Sequence, residues 1–140
     1  MIVYLDSSVL LRIVLRQVDA LAEWPHVRRG VASALVEVEC LRTLDRLRLR
    51  AGLPDRDVAL RREAVFRLLE SVELVEPSRP ILSRAAQPLP TALGTLDAIH
   101  LATALAWQDG THTALVMATH DATLATAARA QGLRVVGVTA

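Results

Sequence analysis

The chain has 140 residues, of which 52% are hydrophobic and 22% charged, and this fits one globular domain with a substantial core rather than a disordered protein. The longest apolar runs have about five residues, far fewer than the roughly 20 that cross a bilayer, so a membrane-spanning protein is excluded. The 16 basic residues are all arginine and face 15 acidic ones, a balance that by itself indicates no nucleic-acid partner.

The first predicted elements are a strand and a helix. The apolar run Ile2–Leu5 predicts a strand that ends at Asp6. Ser7 and Ser8, both good helix N-caps, then precede a helical pattern over Val9–Val18. An aspartate at the end of a strand commonly satisfies turn or cap hydrogen bonds, and this explains Asp6 when it is considered alone.

The middle of the chain predicts two long helices and a strand. Ser33 opens a helical pattern that continues to about Arg50 and is ended by Gly52. A second helix, capped by its first residue, is predicted over Asp55–Glu70. Val72–Glu76 alternates apolar with acidic side chains, which indicates a strand.

The last part of the chain continues the alternation of helices and strands. In order, the pattern predicts a short helix after Pro80, a loop over Gln87–Leu93, a helix from Thr95 to about Gln108 with Gly110 just past its end, a buried strand over Ala114–Ala118, a helix over Asp121–Gln131 ended by Gly132, and a strand over Arg134–Val138. Strands separated by helices indicate an α/β fold, with a parallel sheet covered by helices on both faces. We expect one domain over residues 1–140, since no repeat or Gly/Ser linker divides the chain.

Two aspartates stand where such a fold is expected to bind a ligand, beyond the carboxyl ends of the strands, and a third lies at the start of a helix. Asp6 follows the first strand directly, and Asp121 follows the strand Ala114–Ala118 after a two-residue link. Asp97 lies in the first turn of its helix, where the helix dipole favours a carboxylate. A capping role therefore explains Asp97 when it is considered alone.

Two glutamates on the long middle helix compete for the same end of the sheet. At 100° per residue, Glu39 shares a polar stripe with Arg42 and Arg46, while Glu37 projects about 160° away among leucines. Only one of the two glutamates can face a common site. An ion pair with Arg42, worth a few tenths of a kcal/mol, explains Glu39 when it is considered alone. Taken together, however, the three aspartates and Glu39 would converge at one end of the predicted sheet.

Four short blocks, spread over nearly the whole chain, form a family-like pattern. They are VYLDSS at residues 3–8, SALVEVECLR at 33–42, TLDAIHLATAL at 95–105 and THD at 119–121. In this order and spacing they resemble the PIN-domain ribonucleases, especially the VapC-type toxins. The resemblance implies a PIN-like fold in which Asp6, Glu39, Asp97 and Asp121 are the catalytic, metal-binding acids, with Ser8 and Thr119 as nearby polar support.

The implied chemistry follows from the charge of such a cluster. Two carboxylates about 4 Å apart repel by roughly 4 kcal/mol at an effective dielectric constant of 20, and a divalent cation removes that penalty. Oxygen ligands without cysteine favour Mg²⁺, with Mn²⁺ as the second choice, and such an ion can activate water for hydrolysis of a phosphodiester. As a hypothesis, Asp6, Glu39 and Asp97 form the inner site, and Asp121 binds a second ion or positions the attacking water.

Other polar and aromatic residues keep two explanations each. Arg42 and Arg46 belong to the most basic stretch of the chain and are candidate contacts for RNA phosphates, or members of a solvated, ion-paired helical face. His100 lies three residues after Asp97 and could reach it, in a supporting rather than an acid role. Trp24 and Trp107 are better explained as core or interface anchors than as stacking platforms for bases.

Partners and compartment come from the resemblance and from composition. The resemblance implies an RNA substrate, a homodimer and a cognate VapB-type antitoxin that covers the acidic pocket, and a mean hydropathy of +0.33 also favours self-association. The single cysteine, Cys40, and the lack of a signal-like N-terminus lead us to expect a reducing cytoplasm. The alternative to an enzyme is a catalytically inactive PIN module that binds RNA or protein.

Overall fold

A computed structural model describes residues 1–138 of the chain. These residues form the strands β1 (Ile2–Leu5), β2 (Arg29–Ser33), β3 (Val72–Val75), β4 (Val116–Ala118) and β5 (Arg134–Val136) and the helices α1 (Ser7–Val14), α2 (Leu35–Ala51), α3 (Asp55–Glu70), α4 (Arg79–Ala85), α5 (Thr95–Thr111) and α6 (Ala122–Ala130), besides one 3₁₀ turn at Trp24–His26. No helix among them combines the length and apolar character that a membrane span requires.

The strands form one parallel sheet in the order β3-β2-β1-β4-β5. In the register of the central strand, Val3 lies opposite Gly30 on one side and Val116 on the other. Gly30 allows the closest approach of backbone and core, because a Cβ at this position would lie 2.7 Å from Leu5 Cδ1. The predicted parallel sheet is therefore confirmed.

Helices cover both faces of the sheet, as predicted. Side chains alternate along β1, so that Val3 and Leu5 pack with α1, α2 and α3, whereas Tyr4 packs with α5 and α6. Both layers are apolar, which explains why the strands lack the clean alternation of polar and apolar residues seen in half-exposed sheets.

Two elements in the first third of the chain differ from the sequence prediction. The first helix ends at Val14 rather than Val18, because the backbone turns through a left-handed residue, Arg16, with φ of 54°. Ser33 does not open a helix. It is the last residue of β2, a strand with no predicted counterpart, and α2 begins two residues later. This strand contains Gly30 and Ala32, which do not favour a strand locally, so only pairing with the strands on both sides reveals it.

Smaller differences concern the ends of the last elements. The helix α5 continues through Gly110 to Thr111 and ends where His112 adopts a left-handed conformation with φ of 52°. The strands β4 and β5 are shorter than predicted at one end each, since β4 begins at Val116 and β5 ends at Val136. The predicted bounds of β1 and α3 are confirmed, but the N-cap of α3 is Pro54 rather than Asp55, and no side-chain hydrogen bond caps this helix.

Candidate active site

The site lies where the chain reverses its direction of winding. The neighbouring strands β1 and β4 are followed by α1 and α6, which pack on opposite faces of the sheet. A crevice opens beyond the carboxyl ends of two such strands, and parallel α/β folds bind their ligands there. Asp6 and Asp121 stand at this crevice as the N-cap residues of α1 and α6.

Asp6 is a buried carboxylate surrounded by donors from the first turn of α1 and from the loop after β4. Its side chain accepts hydrogen bonds from the Ser7 N–H at 2.8 Å, from Ser8 Oγ at 2.7 Å and from Thr119 Oγ1 at 2.8 Å. The first bond is the cap that the sequence favours, and the two hydroxyl bonds are additional. The residue is 3% exposed, so these donors replace the water that the carboxylate loses on folding.

The hydroxyls of Ser8 and Thr119 also link the segment that follows β1 to the segment that follows β4. Ser8 Oγ accepts a hydrogen bond from the His120 N–H at 3.0 Å, and Thr119 Oγ1 accepts one from the Asp121 N–H at 3.0 Å. Asp121 in turn accepts hydrogen bonds through Oδ1 from the N–H groups of Thr123, at 2.8 Å, and Leu124, at 3.0 Å. We call Asp6, Ser8, Thr119 and Asp121 the Asp6 group.

A second set of hydrogen bonds surrounds Glu39, on the other side of β1. Glu39 Oε1 lies 2.5 Å from His100 Nε2, and His100 Nδ1 lies 2.6 Å from the Tyr4 hydroxyl. The Tyr4 hydroxyl also accepts a hydrogen bond from the Ser33 N–H at 3.1 Å. We call Tyr4, Ser33, Glu39 and His100 the Glu39 group. The sequence indicated neither Tyr4 nor Ser33, and it related His100 to Asp97 rather than to Glu39.

The two glutamates point in different directions, as the helical wheel predicts, but Glu39, on the predicted polar stripe, is mostly buried, and Glu37, predicted to project among leucines, is exposed. The Glu39 side chain is 18% exposed and faces α5, whereas Glu37 is exposed and lines a separate cleft together with Arg42 and Arg62. Glu39 is thus the glutamate that the fold brings to the crevice.

The pKa of Asp97 is sensitive to the charges of the neighbouring acids. Its pKa is raised to about 6, first by burial and then by the charges of Asp6, Asp121 and Glu39, while the charge of His100 opposes the shift. Within residues 1–138, no hydrogen bond to the Asp97 side chain is formed, and Gly94, not Thr95, occupies the N-cap position of α5. The charges of the other three acids named by the sequence therefore all act on Asp97 and add to the effect of its burial.

His100 is a basic side chain close to these carboxylates. Its burial lowers its pKa, but the hydrogen bond and charge of Glu39, followed by the charges of Asp6 and Asp97, outweigh burial and raise the pKa overall. Burial also raises the pKa of the Tyr4 hydroxyl well above its ordinary value, which keeps the hydroxyl protonated and able to donate.

The described part of the chain contains no three acidic, histidine or cysteine side chains arranged to hold a metal ion as they stand. Mg²⁺ needs no such cage, because it usually keeps several waters and is bound through one or two carboxylates. The charge around Asp97 and the oxygen-only donors of the four acids fit an ion of this kind.

A cleft of about 350 Å³ runs from Glu39 along α2. Its lining residues are Ser7, Val38, Glu39, Arg42, Thr43, Arg46 and Leu96. Arg46 donates a hydrogen bond to Thr43 Oγ1 at 3.0 Å, and Arg42 lies 3.9 Å from Asp45 with 64% of its side chain exposed. Both arginines keep N–H groups available beside the carboxylates.

Other candidates from the sequence lie outside the crevice. Trp107 is 7% exposed in the core, and its indole N–H donates a hydrogen bond to Glu73 at 3.2 Å. Trp24 packs against the core on the opposite face. Further along the basic stretch, Arg48 pairs with Asp45 and Arg67 with Glu63, so these arginines fit the ion-paired alternative.

Comparisons with known proteins agree with this architecture. The PIN domain family model matches residues 3–136. Ribonuclease VapC46 of Mycobacterium tuberculosis is 36% identical over 103 residues, which make up 71% of this chain and 72% of that protein. Ribonuclease VapC35 of the same species is 40% identical over 105 residues, which make up 71% of this chain and 70% of that protein.

Proposed function

Because the chain belongs to the PIN-domain family, we propose that it is a metal-dependent endoribonuclease that hydrolyses RNA phosphodiester bonds. Its catalytic and metal-binding residues in this proposal are Asp6, Glu39, Asp97 and Asp121, and Ser8 and Thr119 support Asp6. The names of both relatives, which describe ribonucleases, support the activity.

The observation that carries the proposal is the raised pKa of Asp97. Burial and three neighbouring carboxylates raise its pKa to about 6, and within the described residues only His100 counters that charge. A fold that keeps such repulsion without relieving it is stabilised by a cation, and perturbed titrations of this kind cluster at functional sites. A purely structural carboxylate would be expected to have a donor of its own, as Asp6 does.

The cation that suits these donors is Mg²⁺ or Mn²⁺. Asp6, Glu39 and Asp97 would hold it, with Asp121 binding a second ion or positioning water. When bound, it would supply a water of lowered pKa and offset negative charge on the phosphodiester. The residues of the chain supply the rest: the Asp6 group fixes one carboxylate through hydroxyl donors, and the cleft along α2 would lead the phosphate to Glu39.

The cleft along α2 suits the RNA strand. Arg42 and Arg46 present guanidinium groups beside Glu39. One guanidinium group can donate two parallel hydrogen bonds to two oxygens of a phosphate. Val38 and Leu96 form exposed apolar walls of the same cleft, 53% and 49% exposed, against which a nucleobase can pack. The proposed path of the strand therefore passes along α2 toward the carboxylates.

The biological role that we propose is the toxin of a VapBC toxin-antitoxin module, acting in the cytoplasm as a homodimer. A cognate VapB-type antitoxin would then cover the acidic crevice. Exposed apolar side chains on α2 and α3, including Leu49, Leu60 and Phe66, support association with another chain. A small neighbouring reading frame that encodes a DNA-binding protein would support this role.

The test of the activity is cleavage of total RNA by the purified chain with Mn²⁺ and with EDTA. We expect cleavage that EDTA abolishes and that falls at least about a hundredfold in the Asp97→Ala and Asp6→Asn variants, since each removes a charge that the cation needs. The matched control is Glu37→Gln, which removes an exposed glutamate of the same helix as Glu39 and should cut normally. RNA binding without cleavage at any Mn²⁺ concentration would contradict the proposal and favour the inactive binding module.

A further inference from the structure

The Glu39 group contains two buried polar residues that the four-acid site does not explain. His100 is fully buried, and so is Tyr4, although each carries polar atoms that cost free energy to remove from water. Their hydrogen bonds join four elements: Tyr4 lies in β1, Ser33 ends β2, Glu39 lies in α2 and His100 in α5. These buried hydrogen bonds run from the backbone of β2 to the Glu39 carboxylate. Such a series of buried polar contacts, ending at one of the four acids, indicates a function for it.

We propose that Tyr4 and His100 are positioning residues that hold the Glu39 carboxylate at the crevice. The proposal rests on the function proposed above, because it concerns the one glutamate of the metal-binding set. Neither residue contacts substrate or ion in this scheme, and both act through Glu39.

The direction of each hydrogen bond follows from chemistry. The Ser33 N–H can only donate, so the Tyr4 oxygen accepts that bond and its own hydrogen is free for His100 Nδ1. Ionised Glu39 can only accept, so His100 Nε2 must carry the hydrogen that bonds to Oε1. His100 Nε2 therefore donates to Glu39 in either protonation state of the ring: in the neutral imidazole Tyr4 donates to Nδ1, and in the imidazolium Nδ1 donates to the Tyr4 oxygen.

Glu39 needs this restraint more than the aspartates do. Its side chain has more rotatable bonds than that of Asp6, and the exposed guanidinium groups of Arg42 and Arg46 line the same cleft. Without His100, the carboxylate could pair with Arg42 along the helix. Donors that orient a metal ligand typically change metal affinity by 10- to 100-fold when they are removed.

The experiment is a set of matched variants, each first shown to be folded by its circular dichroism and thermal unfolding. His100→Leu keeps the volume but removes the donor, and His100→Gln returns an N–H near the position of Nε2. We expect His100→Leu to weaken Mn²⁺ binding, measured by calorimetry, by about tenfold, and His100→Gln to restore affinity to within about threefold. Tyr4→Phe should fall between them.

A double-mutant cycle separates positioning from packing. In a Glu39→Gln background, His100→Leu should cause no further loss of Mn²⁺ affinity, because the residue it positions has already lost its charge. An equal loss in both backgrounds, or no loss in the wild-type background, would overturn the proposal.

A spectroscopic measurement on the metal-free protein tests the hydrogen bonds independently of metal binding. Tyr4→Phe should shift the ¹⁵N resonance of His100 Nδ1, and Glu39→Gln should shift that of Nε2. If neither resonance moves, the link does not exist in solution. Wild-type protein that neither binds Mn²⁺ nor cuts RNA would remove the proposed function, whereas the ¹⁵N resonances would still decide whether Tyr4 and His100 hold Glu39.

Discussion

The Asp6 group and the Glu39 group each hold a carboxylate at the mouth of a buried crevice, but they do so with different hydrogen-bond donors. Asp6 is held by neutral donors from residues that directly follow β1 and β4, and two of these donors are side-chain hydroxyls. Glu39 is held by a histidine from the opposite face of the sheet, which is itself held by a tyrosine from the central strand. The first arrangement depends on the short segments that directly follow β1 and β4. The second depends on correct packing of both helical layers.

The comparison shows which carboxylates find partners within the protein. Asp6 accepts three hydrogen bonds, and Glu39 has one short bond to a basic side chain, but among residues 1–138 the Asp97 side chain has no hydrogen-bond partner. The raised pKa of Asp97 is the consequence. The two groups thus share one charged neighbour, and substitutions in each should have different effects on stability and on activity.

The largest effect on stability should come from the Asp6 group. Thr119→Val keeps the shape of a fully buried side chain but removes a donor to Asp6 and leaves the Asp121 N–H without its acceptor. We expect a loss of about 2 kcal/mol in the free energy of unfolding, because a buried polar group left unpaired costs about 1–3 kcal/mol.

Thermal unfolding measures this loss as a fall of roughly 4 to 8 °C. Thr126→Val serves as the control, because the Thr126 hydroxyl is exposed and donates only to a carbonyl of its own helix. Equal melting temperatures for Thr119→Val and the wild type would mean that the hydroxyl does not hold the two loops together.

An intermediate effect, opposite in sign, is expected at Asp97. Its pKa is about 6 in the folded chain against an ordinary value of 3.8, so the unfolded chain releases the proton first as the pH rises. Stability contributed by protonated Asp97 is therefore complete below about pH 4 and is lost by about pH 6. The Asp97→Asn variant has no carboxyl group to ionise, so it keeps this stability as the pH rises. Since Asp97 is partly exposed and its repulsion is screened, the gain is at most about 1 kcal/mol, or roughly 2 to 4 °C.

Melting temperatures in EDTA between pH 4 and pH 8 test this expectation. The advantage of Asp97→Asn over the wild type should grow from pH 4 to pH 6 and then stay constant. Asp109→Asn is the matched control on the same helix, where the acid forms an exposed ion pair with Arg84. An advantage that is independent of pH would show that charge repulsion at Asp97 is not its source.

The smallest expected effect concerns the cleft rather than the carboxylates. Arg46→Ala should weaken the binding of single-stranded RNA about three- to fivefold and reduce the slope of log K against log salt by about 0.7, the value for one lost phosphate contact. Fluorescence anisotropy in an Asp6→Asn background measures binding without cleavage. Arg84→Ala, an arginine paired with Asp109 away from the cleft, should leave the slope unchanged.

The sequence allowed the fold class and the positions of Asp6 and Asp121 to be predicted from local signals, whereas Ser8 and Thr119 were expected at the site only through the family resemblance. An apolar run followed by Asp6-Ser7-Ser8 predicts a strand, a cap and a helix, and the same reasoning places Asp121 at the start of α6. The helical wheel separated Glu39 from Glu37, because the 100° step is a local property.

Local signals could not predict β2 or the Glu39 group. β2 contains Gly30 and Ala32, which favour no strand, and it becomes one by pairing with strands on both sides. Tyr4 and His100 are separated by 96 positions, and Tyr4 resembles, in the sequence, one more apolar residue of the first strand. Their contact exists only once the helices on both faces have packed against the sheet.

The capping role of two acids constrains what any amino-acid exchange at the site can reveal. Asp6 and Asp121 each use one oxygen to begin a helix, so removing either side chain weakens the helix as well as the charge. Asparagine caps a helix about as well as aspartate, whereas alanine does not. At these two positions the architecture therefore couples the charge of the site to folding, and only the exchange for asparagine separates the two effects.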